Sequence, residues 1–195
     1  MTKPDGGLGH SRAAWACNRV EQHDLPIEAA RAGHRPSQAV LLRALQDVWY
    51  RFCVGLLNDP ERARDAVQET AVRFLKALPG FRGEARVTTW SMGIALNVVR
   101  EMRRTAGRTR QDDGTIADGR PAPGEGPAGL AELGEARGRV RELIETLPER
   151  QREVVMCRYF EEMSVEETAR AMGCAEGTVK ATLFQALRAL KAKLG

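Results

Sequence analysis

The sequence is poor in aromatic residues and has no long apolar run. Phe, Trp and Tyr together make up 5% of the 195 residues. No stretch approaches the run of about eighteen apolar residues that a membrane-spanning helix needs. Asp5 and Gly6 stand where a secretory signal would begin its apolar core. We therefore expect a cytoplasmic chain that does not insert into a membrane.

Paired cysteines are also absent. The four cysteines are Cys17, Cys53, Cys157 and Cys174, and they form no C-x-x-C pair and have no histidine at zinc-ligand spacing. We interpret them as free thiols in a reducing compartment. His10, Cys17 and His23 could be imagined as metal ligands, but they lack a fourth partner. No metal site is predicted.

The residue patterns of catalysis are missing as well. The sequence has no cluster of carboxylates, no glycine-rich phosphate loop and no nucleophile beside a general base. We therefore predict no catalytic residue, no cofactor and no enzymatic activity. A binding function is the remaining class.

The composition favours helices over strands, because Ala, Leu, Arg and Glu dominate it. We predict an all-α fold with two small helical domains, 37–104 and 130–195. The second is expected to have four helices and to end in a helix-turn-helix. Residues 105–129 are rich in Gly, Pro, Asp and Arg and predict a flexible linker, since they cannot repay their ordering entropy by burial. Residues 1–36 are an N-terminal extension, either disordered or partly helical.

Start and stop signals divide the first domain into three predicted helices, at 37–56, 60–78 and from about 90 to 104. Asp59 is the expected N-cap of the second helix, and Pro60 is preset for its first position. The second helix has a polar face at three- and four-residue spacing. Simple solvation explains that face as well as a partner does.

The end of the second domain reads as a helix-turn-helix. Ala169, Gly173 and Val179 supply a small residue where two helices touch, a glycine for the turn and an apolar anchor in the second helix. Ser164 and Glu167 predict a capping box at the start of the first helix. The alternative is an ordinary helical hairpin with a glycine turn.

The last helix is predicted to be amphipathic. An apolar stripe at helical spacing is expected to face the core, formed by Val179, Leu183, Leu187, Leu190 and Leu194. The opposite face carries side chains that can reach phosphates or base edges. Net charge is also uneven: residues 81–110 hold seven arginines against two glutamates, a net +5, although the whole chain is only +4. The first domain is therefore expected to carry more of any salt-dependent phosphate attraction.

Two blocks resemble the extracytoplasmic-function (ECF) sigma factors of bacterial RNA polymerase. DAVQETAVRFLKAL at 65–78, FRGEARVTTW at 81–90 and IALNVVREMRR at 94–104 are similar to their second conserved region. The stretch from LPERQREV to GTVKATL, at 147–183, is similar to their fourth region. The resemblance implies promoter recognition and help with promoter melting, by a subunit bound to core polymerase. The alternative is a stand-alone helix-turn-helix regulator, which would leave residues 65–104 unexplained.

The resemblance also implies partners and site residues. The partners are the β′ clamp helices and β flap of core polymerase, promoter DNA and an anti-sigma factor. The implied polymerase-binding residues are Asp65, Gln68, Glu69 and Arg73. The implied −10 element residues are Arg82, Gly83, Arg86, Thr88, Thr89, Asn97, Arg100, Arg103 and Arg104. The implied −35 element residues are Arg150, Arg152, Thr178, Lys180, Thr182, Gln185 and Arg188.

Some positions depart from the family pattern or allow two interpretations. Ala175, Thr182 and Gln185 stand where the family commonly has a serine, an arginine and a basic residue, which predicts an altered −35 preference. Trp90 is interpreted as a packing anchor for the preceding loop rather than a stacking platform. The linker carboxylates, Asp112, Asp113 and Asp118, either imitate nucleic-acid charge inside the polymerase or belong to a plain tether.

Overall fold

The computed structural model describes residues 25–113 and 139–194, and every regular element in these ranges is a helix. The elements are α1 Ile27–Arg31, α2 Arg35–Leu57, α3 Pro60–Ala77, a 3₁₀ turn Leu78–Gly80, α4 Val87–Asp113, α5 at 139–145, α6 Glu149–Val155, a π-helical turn Met156–Phe160, α7 Val165–Met172 and α8 Glu176–Leu194. The all-α prediction is confirmed. None of the helices in the described ranges is long and apolar enough to cross a membrane.

In the first domain, α2, α3 and α4 pack around buried aromatic side chains. Trp49 is fully buried, lies 5.3 Å from Phe74 between ring centroids and donates its Nε1–H to Ser91 Oγ at 3.0 Å. The signal for the start of α3 is confirmed, because the Asp59 carboxylate accepts the N–H groups of Glu61 and Arg62. These contacts join α2, α3 and α4 in one core.

The second domain contains the predicted helix-turn-helix, formed by α7 and α8. The Ser164 hydroxyl accepts the N–H of Glu167, and the Glu167 carboxylate accepts the N–H of Ser164. Gly173 ends α7 at φ +62°, a left-handed conformation that favours glycine. Ala169 and Val179 are buried at the contact between the two helices. All three spacing signals are therefore confirmed.

Helix α4 differs from its prediction at both ends. It begins at Val87 rather than near Trp90, so Thr88 and Thr89 lie in its first turn and not in a loop. It continues to Asp113, into the segment predicted as linker. No proline follows until position 121, and one helical glycine costs only about 1 kcal/mol, so nothing ends the helix earlier. The remaining linker residues lie outside the described residues, as do residues 1–24 of the predicted N-terminal extension. Its described part, 25–36, contains α1, and α2 begins at Arg35, two residues before the predicted start at 37.

The prediction that an apolar stripe of α8 faces the core is only partly correct. Val179 is buried and Leu183 and Leu190 are half-buried, but Leu187 and Leu194 are 41% and 73% exposed. Helix α8 has 19 residues, whereas its neighbours α6 and α7 have 7 and 8. The end of α8 therefore extends past the helices that could cover it.

The two domains pack against each other through one shared core. Buried residues of α6, α7 and the π-helical turn belong to the same apolar cluster as those of α2, α3 and α4. At the crossing of α4 and α7, a Cβ added to Gly93 would lie 3.4 Å from the Cα of Ala171. Gly55 of α2 similarly makes room for the methyl group of Met156. Small residues allow both close approaches.

Candidate nucleic-acid and polymerase interface

The four predicted polymerase-binding residues share the outer face of α3. Asp65, Gln68 and Glu69 are exposed, and Arg73 is partly exposed. The Arg73 guanidinium pairs with Glu69 at 2.6 Å and with Glu101 of α4 at 2.7 Å. The hydrogen bond from Arg73 lowers the pKa of the Glu101 carboxyl below its ordinary value. The face thus presents fixed charges of both signs to solvent.

The loop at 81–86 is held in place by aromatic contacts. Trp90 lies 4.9 Å from Phe81 and 5.4 Å from Phe74 between ring centroids. Its ring therefore joins the loop to the core, in agreement with its interpretation as a packing anchor. Gly83 has φ +75°, which a side chain would strain.

A cavity of about 380 Å³ opens beside this loop. It is lined by Gly80, Phe81, Arg82, Glu84, Ala85, Thr89, Trp90, Gly93, Ile94, Asn97, Arg170 and Ala171. The walls combine aromatic faces, cations, the Glu84 carboxylate, a hydroxyl and an amide. Arg170 and Ala171 come from α7, so the second domain closes one side of the cavity.

The residues predicted for the −10 element divide into two groups. Arg82, Asn97 and Arg104 are exposed. Arg86 and Thr89 instead donate to the Glu167 carboxylate of α7, at 2.9 Å from Arg86 Nη2 and 3.0 Å from Thr89 Oγ1. The second pair is engaged across the domain boundary, although the Arg86 side chain is still 55% exposed.

Glu153 of α6 collects further predicted DNA-binding cations. It is 2% exposed and accepts a bidentate pair from Arg100, at 3.0 and 2.7 Å. Arg150 lies 3.3 Å from it, and Arg103 lies 3.9 Å from both Glu153 and Glu149. Burial lowers the pKa of Arg103 below its ordinary value. Sequence reasoning missed Glu153, although a glutamate next to two valines in a helix is a signal of a buried charge.

The predicted −35 residues lie mainly on the exposed face of α8. Thr178, Lys180, Gln185 and Arg188 are exposed, and Thr182 is partly exposed. Arg152 is different: its guanidinium donates to the backbone carbonyls of Leu56, Glu145 and Leu147. In this conformation Arg152 joins chain segments to one another, whereas the α8 residues face solvent, with Lys180 Nζ 3.6 Å from the Glu176 carboxylate one turn earlier.

The start of α8 lacks a side-chain cap. Ala175 precedes the helix, and its carbonyl accepts the N–H groups of Thr178 and Val179 at 3.0 and 3.2 Å. Its methyl group cannot accept the N–H groups that a serine hydroxyl would satisfy.

We predict that Ala175→Ser raises the free energy of unfolding by about 1 kcal/mol, because the hydroxyl caps the first turn of α8. Chemical denaturation monitored by circular dichroism measures the effect. Ala175→Gly is the matched control, because glycine at an N-cap comes close to serine in stability although it has no side-chain acceptor. The difference between the serine and glycine proteins therefore isolates the hydroxyl. Equal stability of the alanine and serine proteins would contradict the assignment of position 175 as the N-cap of α8.

Two family models match this chain, sigma-70 region 2 over residues 41–109 and sigma-70 region 4 over residues 137–190. The ECF RNA polymerase sigma factor SigD of Mycobacterium tuberculosis is 32% identical over 176 residues, which cover 88% of this chain and 83% of that protein. The chain belongs to the ECF sigma factors. Because the region 2 block and nearly full-length relatives match, the alternative of a stand-alone regulator is wrong.

Other comparisons agree with this membership. The RNA polymerase sigma-H factor of Pseudomonas aeruginosa is 29% identical over 178 residues, covering 87% of this chain and 92% of that protein. The sigma factor RpoE of Bartonella quintana, solved with the anti-sigma factor NepR, has a TM-score of 0.65 at 24% identity and covers 80% of this chain and 95% of its own. CnrH, solved with the cytosolic domain of CnrY, has a TM-score of 0.60 at 22% identity over 86% and 94%. These structures share the fold of this sigma factor.

Proposed function

We propose that this sigma factor binds core RNA polymerase through the outer face of α3 and directs it to promoters with two DNA-binding surfaces. The loop at 81–86 and the first turns of α4 contact the −10 element, and α8 contacts the −35 element. The observation that carries the proposal is the presence of both regions on one chain, each with an exposed polar surface on a rigid helical support.

The −10 surface has the chemistry that capture of an unstacked base requires. Reading an extruded base takes a cavity with polar groups and an aromatic wall, beside cations that hold the strand. The cavity beside Trp90 supplies these features, with Arg82 and Asn97 at its edge. The aromatic contacts of Trp90 with Phe81 and Phe74 hold the loop beside this cavity in place.

The −35 surface has the geometry of a recognition helix. Helix α8 follows the helix-turn-helix glycine and exposes side chains suited to the major groove. A glutamine such as Gln185 can pair with adenine in a bidentate manner, whereas Lys180 supplies a phosphate contact. The domain therefore combines base readout with backbone attachment.

Several partners follow from this role. The β′ clamp helices are proposed to contact Asp65, Gln68, Glu69 and Arg73, and the β flap to contact the second domain. An anti-sigma factor is a further proposed partner, because two solved structures with this fold are sigma factors bound to one. The chain would act without catalysis of its own, in the cytoplasm, where the polymerase transcribes the chromosome.

In vitro transcription tests the proposal directly. Core polymerase from the source organism is incubated with genomic fragments, with and without the purified chain, and the 5′ ends of transcripts are mapped. We expect new start sites that depend on the chain. An unchanged set of start sites, together with no association between the chain and core polymerase, would refute the sigma role.

We predict different effects for the two central residues of α8. Gln185→Ala should lower discrimination at one −35 base pair roughly ten-fold, because a bidentate base contact is worth about 1–3 kcal/mol. Lys180→Ala should weaken binding evenly across sequences and reduce the salt slope by about one phosphate contact. Holoenzyme binding to a library of −35 variants measures both effects.

Lys191→Ala is the control, since Lys191 is an exposed cation in the last turn of α8. It should leave the base preference unchanged. An unaltered preference profile for Gln185→Ala would exclude its role in readout.

A further inference from the structure

We propose that Arg62, Arg103 and Arg152 form a binding site for a compact phosphate group, carried by a free phosphate or pyrophosphate ion or by a nucleotide. The three residues lie on α3, α4 and α6, and their guanidinium groups come together near the end of α2. The inference goes beyond the proposed function, because the ligand is neither promoter DNA nor core polymerase.

A shared backbone acceptor brings two of the guanidinium groups together. The carbonyl oxygen of Leu56, in the last turn of α2, accepts from Arg103 Nη2 and, at 3.3 Å, from Arg152 Nη1. Arg62 Nη2 donates at 3.2 Å to the carbonyl of Met102, the residue before Arg103. Helix α2 has no basic residue in its own last turn, so the two arginines also offset the negative end of its dipole. That role accounts for only one N–H group of each guanidinium.

Two other nitrogens of these guanidinium groups are buried donors without an acceptor. Arg103 Nη1 and Arg152 Nε are both buried, and neither donates a hydrogen bond to any group in the described ranges. An unpaired buried donor is costly, because it has given up its hydrogen bonds to water. Since the two guanidinium groups share the Leu56 carbonyl, one ligand with several acceptor oxygens can serve both. The unpaired donors therefore favour an oxygen-rich ligand.

The carboxylates around the cluster do not balance its charge. Glu153 is engaged by the bidentate pair with Arg100 and by Arg150, and its oxygen lies 3.9 Å from Arg103 Nη1. Glu149 lies 3.9 Å from Arg103 Nε, and its side chain is 69% exposed. Both distances exceed the roughly 2.7–2.9 Å of a charge-assisted hydrogen bond. The remaining positive charge favours an anion with more than one negative charge, such as phosphate.

The ionisation of Arg103 agrees with this excess of positive charge. Burial lowers the pKa of Arg103 below its ordinary value, and the charges of Arg152 and Arg62 lower it further, whereas Glu149 and Glu153 raise it. The guanidinium still remains protonated at neutral pH. A bound anion offsets the burial and the repulsion together. Because the planar guanidinium group matches phosphate oxygens in a bidentate manner, the phosphate class fits the cluster.

The position of the cluster suits a small ligand better than a nucleic-acid strand. The family resemblance implies DNA contacts for Arg103 and Arg152, but the Arg103 side chain is only 13% exposed. The proposed DNA-binding side chains of α8, by contrast, lie on an exposed helix face. Glu149 is the exposed carboxylate at the edge of the cluster, and it competes with an entering anion for Arg103. A compact phosphate group can replace this weak contact.

Isothermal titration calorimetry of the full-length chain with pyrophosphate, at physiological salt, tests the site. We expect saturable binding by the native chain. Arg103→Gln and Arg62→Gln should each lower the affinity at least about ten-fold, the effect of losing a charged hydrogen bond. Arg43→Gln is the matched control, because Arg43 is an exposed arginine of α2 outside the cluster, and it should bind pyrophosphate as the native chain does.

A fourth variant should bind pyrophosphate more tightly, a gain that misfolding cannot imitate. Glu149→Gln removes the competing carboxylate from Arg103 and should raise the affinity about two- to five-fold, the range expected for a weak exposed ion pair. Circular dichroism checks that every variant is folded.

Titrations with inorganic phosphate and with ATP distinguish the sources of the phosphate group. Equal affinity for ATP and pyrophosphate would assign the site to the terminal phosphates of a nucleotide. Binding of pyrophosphate and phosphate without ATP would assign it to a free ion. Either result, together with the losses in the Arg103 and Arg62 variants, supports the site.

No saturable binding of any of the three compounds, or equal pyrophosphate affinity of the native chain and the Arg103 and Arg62 variants, would overturn the proposal. So would weaker binding of a single-stranded oligonucleotide by these variants when pyrophosphate does not bind, since the arginines would then serve nucleic acid. The titrations contain no polymerase. Failure of the sigma role in transcription therefore leaves their outcome unchanged.

Discussion

Reversing two charges on α3 should lower the affinity for core polymerase at least about 100-fold. The variant is Asp65→Lys combined with Glu69→Lys. Both side chains are exposed on one face of α3, so their replacement is expected to change stability by only about 0.5 kcal/mol each. A complementary cationic partner would then meet repulsion, and like-charge contacts at an interface cost several kcal/mol. Biolayer interferometry with immobilised core polymerase measures the loss.

The matched control is Asp47→Lys, on the exposed side of α2. It reverses one charge away from the proposed face, a change of +2 against +4 in the double variant, and should leave core affinity within about two-fold of native. Thermal unfolding checks that both proteins remain folded. If the double variant bound core polymerase as tightly as the control, the outer face of α3 would not be the docking surface.

The starts of α3 and α7 and the end of α7 were predictable because their causes are local. Asp59 and Pro60 start α3, and Ser164 with Gly173 bounds α7, through contacts within a few residues of each position. A single sequence carries that information directly. The shared outer face of α3 was predictable for the same reason, since three- and four-residue spacing places Asp65, Gln68, Glu69 and Arg73 together.

The packing of the two domains could not be predicted from the sequence in the same way. Arg86 and Glu167 are 81 positions apart, and Arg100 and Glu153 are 53 apart. Each arginine alone fits a phosphate contact as well as an ion pair. Which partner it has depends on the position of the second domain, which packs α7 against α4 beside Gly93. The exposure of the last turns of α8 was unpredictable for a related reason. Leu194 has the spacing of a buried residue, but no neighbouring helix in the described ranges covers it.

Glu161 should make the stability of this sigma factor depend on pH near neutrality. It lies at the end of the π-helical turn, and burial raises the pKa of its carboxyl from 4.5 to about 7, although the charge of Arg51 opposes the rise. Burial also raises the pKa values of the nearby thiols of Cys53 and Cys157 to about 12, so both stay neutral. Arg51 is therefore the cation that offsets the charge of Glu161.

The direction in which stability changes with pH follows from proton binding at Glu161. The folded chain holds the Glu161 proton more tightly than the unfolded chain does, so the stabilisation is complete below about pH 4.5 and is lost as pH rises through 7. Glu161→Gln keeps a neutral side chain at every pH. We therefore expect the variant to gain about 2 kcal/mol over the native chain between pH 5 and pH 8, less than the full shift implies because Glu161 keeps some solvent exposure.

Urea denaturation at pH 5, 6, 7 and 8 measures this difference. The control is Glu162→Gln, which removes the exposed neighbouring carboxylate and so separates the effect of Glu161 from that of losing a charge at this turn. Because the other carboxylates titrate alike in all three proteins, only the difference between native chain and variant reports on Glu161. A constant difference from pH 5 to pH 8 would show that Glu161 is ionised throughout this range, and that its surroundings solvate the charge.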